Sequence, residues 1–198
     1  MPLRAESVDL PAMDQGQYLS GKFLLAMPGM FDERFEKSVN VMCVHDEKGA
    51  LGIGIGHVRS GLRLRELLQE VDIDPGVAPD CEVHHGGPVE PGRGFVLHST
   101  DWGGADTIQV DPLCALSASL EILHAIAQGR GPKQWLVALG YAGWGAGQLE
   151  QELRQHGWYV ADGSKEILFD TPVNGRWMAT WREEGIDPAL LSPETGRA

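Results

Sequence analysis

The sequence predicts a single α+β domain, and three features carry the prediction. Short apolar runs of strand length, such as Lys22–Met27 and Val39–His45, are cut off by Pro-Gly or charged turns. Leu62–Val71 and Leu113–Gln128 instead space their apolar residues at helical intervals. The 198 residues contain no internal repeat and no linker parting two cores, and the length suits one substantial core. Residues 1–17 read as a loose polar leader, 18–191 as the domain and 192–198 as a frayed tail.

Lys22–Met27 is the first expected strand, stopped by Pro28-Gly29. Phe31 and Phe35, four positions apart, suit a short helical turn that shows both rings to the core. Val39–His45 and Gly49–Ile55 flank Asp46-Glu47-Lys48-Gly49 and read as an antiparallel hairpin. Gly54 and Gly56 mark a bulge or a close approach by another element. They are no dinucleotide fingerprint, because they lie inside the apolar run and not in a strand-to-helix turn. Leu62–Val71 follows as an amphipathic helix with Leu64, Leu67, Leu68 and Val71 on its apolar stripe, and Asp72–Pro79 as a loop.

Cys81–Val83 reads as a short strand leading to His84-His85-Gly86-Gly87-Pro88-Val89, with a turn at Glu90-Pro91-Gly92. In the strand Arg93–Ser99, Phe95 and Leu97 should face one way and Val96 and His98 the other. An exposed bend around Trp102 and a strand at Asp106–Val110 come next. Leu113–Gln128 is the clearest helix, with Asp111 as N-cap, Pro112 in the first turn, a Leu116, Leu120, Leu123, Ile126, Ala127 stripe, and Gly129 as its stop. Leu139–Leu153 organises the chain: a tight irregular connection around Trp144, then a helix over Gln148–Gln155. Trp158–Val160 suits an edge segment, and Lys165–Phe169 and Arg176–Glu184 suit helices, the second docking Trp177 and Trp181 together. Ile186, Leu190 and Leu191 should anchor the last turn.

The formal charge of −12, from 16 Lys+Arg against 28 Asp+Glu, argues against a broad surface for phosphate backbones. Direct nucleic-acid binding is therefore not expected. Cys43, Cys81 and Cys114 are odd in number and lack short spacing, so buried reduced thiols in a cytoplasmic protein are expected. No apolar signal core and no long apolar segment stands in the sequence, and no membrane partner is expected.

Taken together, Gly21–Met27 with Met30, Phe35, Ser38 and Val39, then Gly49-Ala50-Leu51-Gly52, Gly86-Gly87-Pro88-Val89, Arg93–Ser99, Leu139–Glu150 and Trp177 resemble the YqgE/AlgH family of bacterial proteins. The resemblance covers about Gly21 to Leu191. It implies a bifurcated, strongly bent sheet closing into a pseudo-barrel with helices packed around it, and no established enzyme activity. It also implies a label of transcriptional regulator, attached to the alginate-associated branch. The chain departs from the family pattern at Gly56-His57-Val58-Arg59, where His57 stands in place of the usual Asn and no proline follows. His45 matches a family histidine, although Val44 replaces the commoner Glu.

The chemistry-bearing residues form no recognised motif. His45, His84, His85 and His98 match no standard metal spacing, and neither metal nor cofactor is expected. His98-Ser99 with Asp101 lacks the strand–turn–helix elbow of a nucleophilic serine. Cys43 and His45 share a strand face, although a buried thiol is a poor nucleophile. Arg93, between two glycines, suits an anion or an ion pair with Glu90 or Glu150. The candidate ligand or partner surface is His85, Gly86, Gly87, Arg93, His98, Ser99, Trp102, Gly143 and Trp144, with the three glycine-rich segments expected to converge. The favoured function is a non-enzymatic regulator acting through a protein or small-molecule partner. The alternatives are an enzyme with a site near Arg93 and His98, and a direct transcriptional regulator, which the acidic charge disfavours.

Overall fold

The computed structural model describes residues 18–29 and 36–191. The expected Phe31–Phe35 turn, the leader and the tail lie outside them. Strands β1 (Lys22–Ala26), β2 (Val39–Asp46) and β3 (Gly49–Gly54) form where their apolar runs predict, β2 and β3 as the expected hairpin, and β1 joins them antiparallel beside β2. The runs are continuous because both sheet faces are covered. Phe23, Leu25, Val39 and Val41 enter the main core, while Leu24, Ala26 and Met42 enter another cluster on the opposite face. The register slips between Met42 and Val44, so the bulge lies in β2 and not at Gly54 or Gly56. It breaks the shared face of Cys43 and His45, sending Cys43 into the core and His45 toward Tyr18 and Leu19.

The stripe expected over Leu62–Val71 begins late. Leu62 and Arg63 belong to β4 (Val58–Arg63), which pairs with β5 (Glu82–His85), so α1 covers only Leu64–Glu70 and buries Leu64, Leu67 and Leu68. The expected Glu90-Pro91-Gly92 turn is an irregular, exposed stretch inside β6 (Val89–His98). Further along β6, Phe95 and Leu97 face the main core and Val96 a third cluster, with Leu64, Leu67 and Leu68, as alternation predicts.

The helix expected over Leu113–Gln128 is two elements. After β7 (Ile108–Val110), β8 (Cys114–Ser117) is a strand between β6 and β7, and α2 covers only Leu120–Ala127. The Asp106 carboxylate pins the break, accepting from the amides of Ala118 and Ser119 at 2.7 and 2.8 Å and from the Ser119 hydroxyl at 2.9 Å. Ser119, extended at φ −84° and ψ 161°, replaces Asp111 as N-cap. The buried stripe becomes Ile122, Leu123, Ile126 and Ala127, with Leu120 half exposed.

The segment read as an irregular connection is mostly strand: β9 (Trp135–Gly145) is the spine of the sheet. It pairs antiparallel with β3 and β6 and parallel with β5. The helix α3 (Gln148–Arg154) follows where expected, and β10 (Trp158–Asp162) is the edge strand beside β1. The main path runs β10-β1-β2-β3-β9-β6-β8-β7, with β4–β5 branching from β9, which is the bifurcated sheet that the resemblance implies. Ala161 and Phe23 from one end of this path share a cluster with Val110 and Cys114 from the other, so the sheet curls into a half-barrel.

Helices α4 (Lys165–Phe169) and α5 (Arg176–Glu183) complete that cluster. Trp177 and Trp181 pack edge to face at 5.9 Å, and Trp177 donates to the Ala26 carbonyl at 2.9 Å. Indole rings of this kind remove roughly 150–250 Å² each from water, about 4–6 kcal/mol at ~25 cal/mol per Å². In the last turn Ile186 packs on the core and Pro188 is buried, whereas Leu190 and Leu191 are exposed.

Candidate functional site

The fork in the sheet is built by glycine. Gly86 donates to the Leu139 carbonyl at 2.9 Å and accepts from the Gly54 amide at 2.7 Å, tying β9 to β3 where their ladder ends. A Cβ on Gly86 would stand 2.1 Å from the Gly140 oxygen, and one on Gly87 2.1 Å from the Tyr141 carbonyl carbon. Backbones this close exclude any side chain.

A small groove opens at this fork, walled by Ser38, Asn40, Gly54, His57, His85, Gly87, Pro88 and Ala142. Its enclosed part measures about 20 Å³, and about 330 Å³ with the open mouth. Asn40 and Ser38 are only 5% and 8% exposed, yet neither side chain has a protein hydrogen bond among the described residues. The only sealed side-chain polar atom without a partner there is Trp181 Nε1, so the Asn40 amide opens into the groove. His57 Nε2 lies 2.9 Å from the Glu36 carbonyl and therefore carries its proton. Burial, then Arg59 and His57, lowers the pKa of His85. Among the described residues no carboxylate lines the groove.

His84, on the other face of β5, belongs to the scaffold behind it. Its Nδ1 lies 3.3 Å from the Val137 carbonyl and its Nε2 accepts from Arg176 Nη1 at 2.8 Å. Accepting from Arg176 needs the neutral ring, and burial, then Arg176, pushes its pKa down to about 4 against the opposing Val137 bond. The unfolded ring titrates near 6.5, so the unfolded chain takes up a proton first as pH falls. The stabilisation is therefore full above about pH 6.5 and lost toward pH 4, amounting to about 3 kcal/mol at ~1.4 kcal/mol per pKa unit. Urea unfolding of His84→Gln should show a shallower loss across that window than the parent. An unchanged slope would mean that His84 is not held neutral.

Of the residues expected at the surface, His85, Gly86 and Gly87 meet β9 at the groove, just before exposed Gly143. Trp144 packs within a core cluster, edge to face with Trp158, and both indoles donate to Glu152 Oε2 at 2.9 and 2.8 Å. Arg93 is exposed, 3.2 Å from Glu90 and over the Phe95 ring, while Glu150 pairs instead with His45 at 2.9 Å. His98, Ser99 and Trp102 do not join them. His98 is registered against Trp135 while Val89 is registered against Tyr141, which sets the two ends roughly 20 Å apart at ~3.3 Å per residue.

The His98 ring is wholly buried, donating from Nδ1 to the Ser99 carbonyl at 2.8 Å and accepting the Ser117 hydroxyl on Nε2 at 3.0 Å. Ser99 and Asp101 bond to each other at 2.5 Å, apart from the imidazole, so no triad forms. The thiols are free, and burial lifts Cys43 well above its usual range and Cys114 to about 12. Among the described residues no three His, Cys, Asp or Glu side chains cluster to hold a metal. No helix there is long and apolar enough to cross a membrane.

Sequence reading passed over Asn40 as part of the groove. Its signal is a polar residue at the second position of the apolar run Val39–Cys43.

A family model described as AlgH-like matches residues 23–189. The chain belongs to the AlgH-like family. A UPF0301 protein of Novosphingobium aromaticivorans is 62% identical over 94% of this chain and all of its own length. One of Rhizorhabdus wittichii is 53% identical with the same coverage. The solution structure of AlgH from Pseudomonas aeruginosa superposes with a TM-score of 0.74 at 39% identity, covering 92% of this chain and 97% of that one. A crystal structure from Corynebacterium diphtheriae, 21% identical, shares the fold with a TM-score of 0.71 over 91% and 95% of the two chains. None of these names states a reaction, a ligand or a partner. The AlgH-like fold thus accounts for the fork, and the His57 departure lies on the groove wall.

Proposed function

We propose that this AlgH-like chain is a non-enzymatic regulatory protein that works through a protein or small-molecule partner received at the fork groove. The observation that carries the reading is Asn40, a nearly buried residue whose amide has no hydrogen-bond partner among the described residues and opens into the groove. The amide opens into the groove, so a partner's polar group can take the place of water there and hydrogen-bond it directly. Ser38 accompanies it without a histidine or carboxylate hydrogen-bonded to its hydroxyl, so the groove offers a donor set and no activated nucleophile. The enclosed space is far below the roughly 300–1,000 Å³ of a typical small-ligand pocket, so a partner inserts only a small polar group. The alternative enzyme reading lacks a shared cleft, because exposed Arg93 and buried His98 lie at separate places along β6.

Hydrogen-exchange protection tests the reading. In the peptide and small-molecule extract of a bacterium carrying a relative, such as N. aromaticivorans, protection should rise at residues 38–40, 54–57 and 85–88. Unchanged exchange at the fork would overturn the binding reading, and consumption of an extract component would overturn the non-enzymatic one.

A further inference from the structure

In a chain of net charge −12, none of the described residues in the wall of the fork groove is a carboxylate. It offers an unpaired amide and hydroxyl from Asn40 and Ser38, flanked by His57 and His85. The Arg59 guanidinium stands beside this wall: Arg59 follows His57 by two residues on the segment whose His57 carbonyl accepts from the His85 amide at 2.9 Å, and its side chain is anchored on the Pro91 carbonyl at 3.0 Å, three residues beyond Pro88. We infer that the groove binds a carboxylate head group, with Asn40 and Ser38 as hydrogen-bond donors and Arg59 supplying the favourable field. This rests on the reading of the fork as a binding site and goes further by naming the group bound.

Size and polarity support the same chemistry. The enclosed volume of about 20 Å³ holds one or two oxygen-sized groups, at ~10–15 Å³ each. A planar carboxylate presents two oxygens, and the rest of its carrier would lie in the open mouth along Pro88 and Ala142. A carboxamide would satisfy Asn40 equally, but it gains nothing from the guanidinium. A charged acceptor also makes the stronger hydrogen bonds. The carrier is a small monocarboxylic acid or a peptide C-terminus, and the chemistry at the fork is common to both.

Backbone amide shifts of the full chain, titrated at constant ionic strength, test the inference. The probes are acetate, acetamide, triglycine with a free C-terminus, and triglycine amide. Acetate and free triglycine should move Ser38, Asn40, His57 and Gly86–Gly87 together, while the two amides leave them in place. Tighter binding of free triglycine than of acetate would assign the peptide source, and equal or weaker binding the small acid. Asn40→Asp should weaken acetate at least tenfold, and Arg59→Gln, outside the core, about threefold. An equal response to acetamide would overturn the carboxylate while leaving the fork a binding site. Silence from all four probes, or full acetate binding by a folded Arg59→Gln variant and a folded Asn40→Ala variant, would overturn the inference. The exchange experiment on extract then judges the binding reading separately.

Discussion

Gly87→Ala is expected to cost more than about 4 kcal/mol, the range reached when a core position cannot accept a substitution. The new Cβ would stand 2.1, 2.3 and 2.4 Å from the Tyr141 carbonyl carbon, its oxygen and the Ala142 nitrogen. All three atoms belong to β9, which is held by ladders to three other strands. Relief would require the fork to open, because no flexible side chain can yield there. The Gly92→Ala variant is the control, since a Cβ at Gly92 meets nothing within 4 Å and should change stability by less than ~0.5 kcal/mol. Urea unfolding of both variants checks the contrast. A Gly87→Ala midpoint equal to the parent's would refute the close approach of these backbones.

Arg176→Ala should cost about 3 kcal/mol or more, because it strips the donor from three acceptors at roughly 1–3 kcal/mol each. Arg176 is 5% exposed and donates to the Ile55 carbonyl and His84 Nε2 at 2.8 Å and to the Thr171 carbonyl at 3.1 Å. Burial lowers its pKa to about 10, so it stays protonated at neutral pH. Arg176→Met should recover part of the loss by filling the volume, but not the hydrogen bonds. Denaturant midpoints measure both effects, and equal stability of Arg176→Ala and the parent would overturn the account. Because Ile55 precedes Gly56 on the groove wall, the alanine variant should also raise exchange at residues 54–57.

Local pattern by itself determined the strands β1–β3 and the β2–β3 hairpin, the opposite facings of Phe95 and Val96, the helix after Gly147 and the shared docking of Trp177 and Trp181. Each depends on apolar spacing and turn chemistry within a few residues, which the sequence displays directly. Resemblance extended this to the forked sheet. Only the tertiary structure decided that Cys114–Ser117 is a strand, because Leu116 is paired with Leu97 and Ile108 while Asp106 pins the break before α2. It also decided that glycine-rich 139–145 runs as strand, because partners distant in sequence enforce extension where the composition alone suggests a turn. The groove belongs to the same category. Ser38, Asn40, His57, His85 and Gly87 come from separate stretches, and they meet because glycine lets β9 and the two branches of the sheet approach to backbone contact.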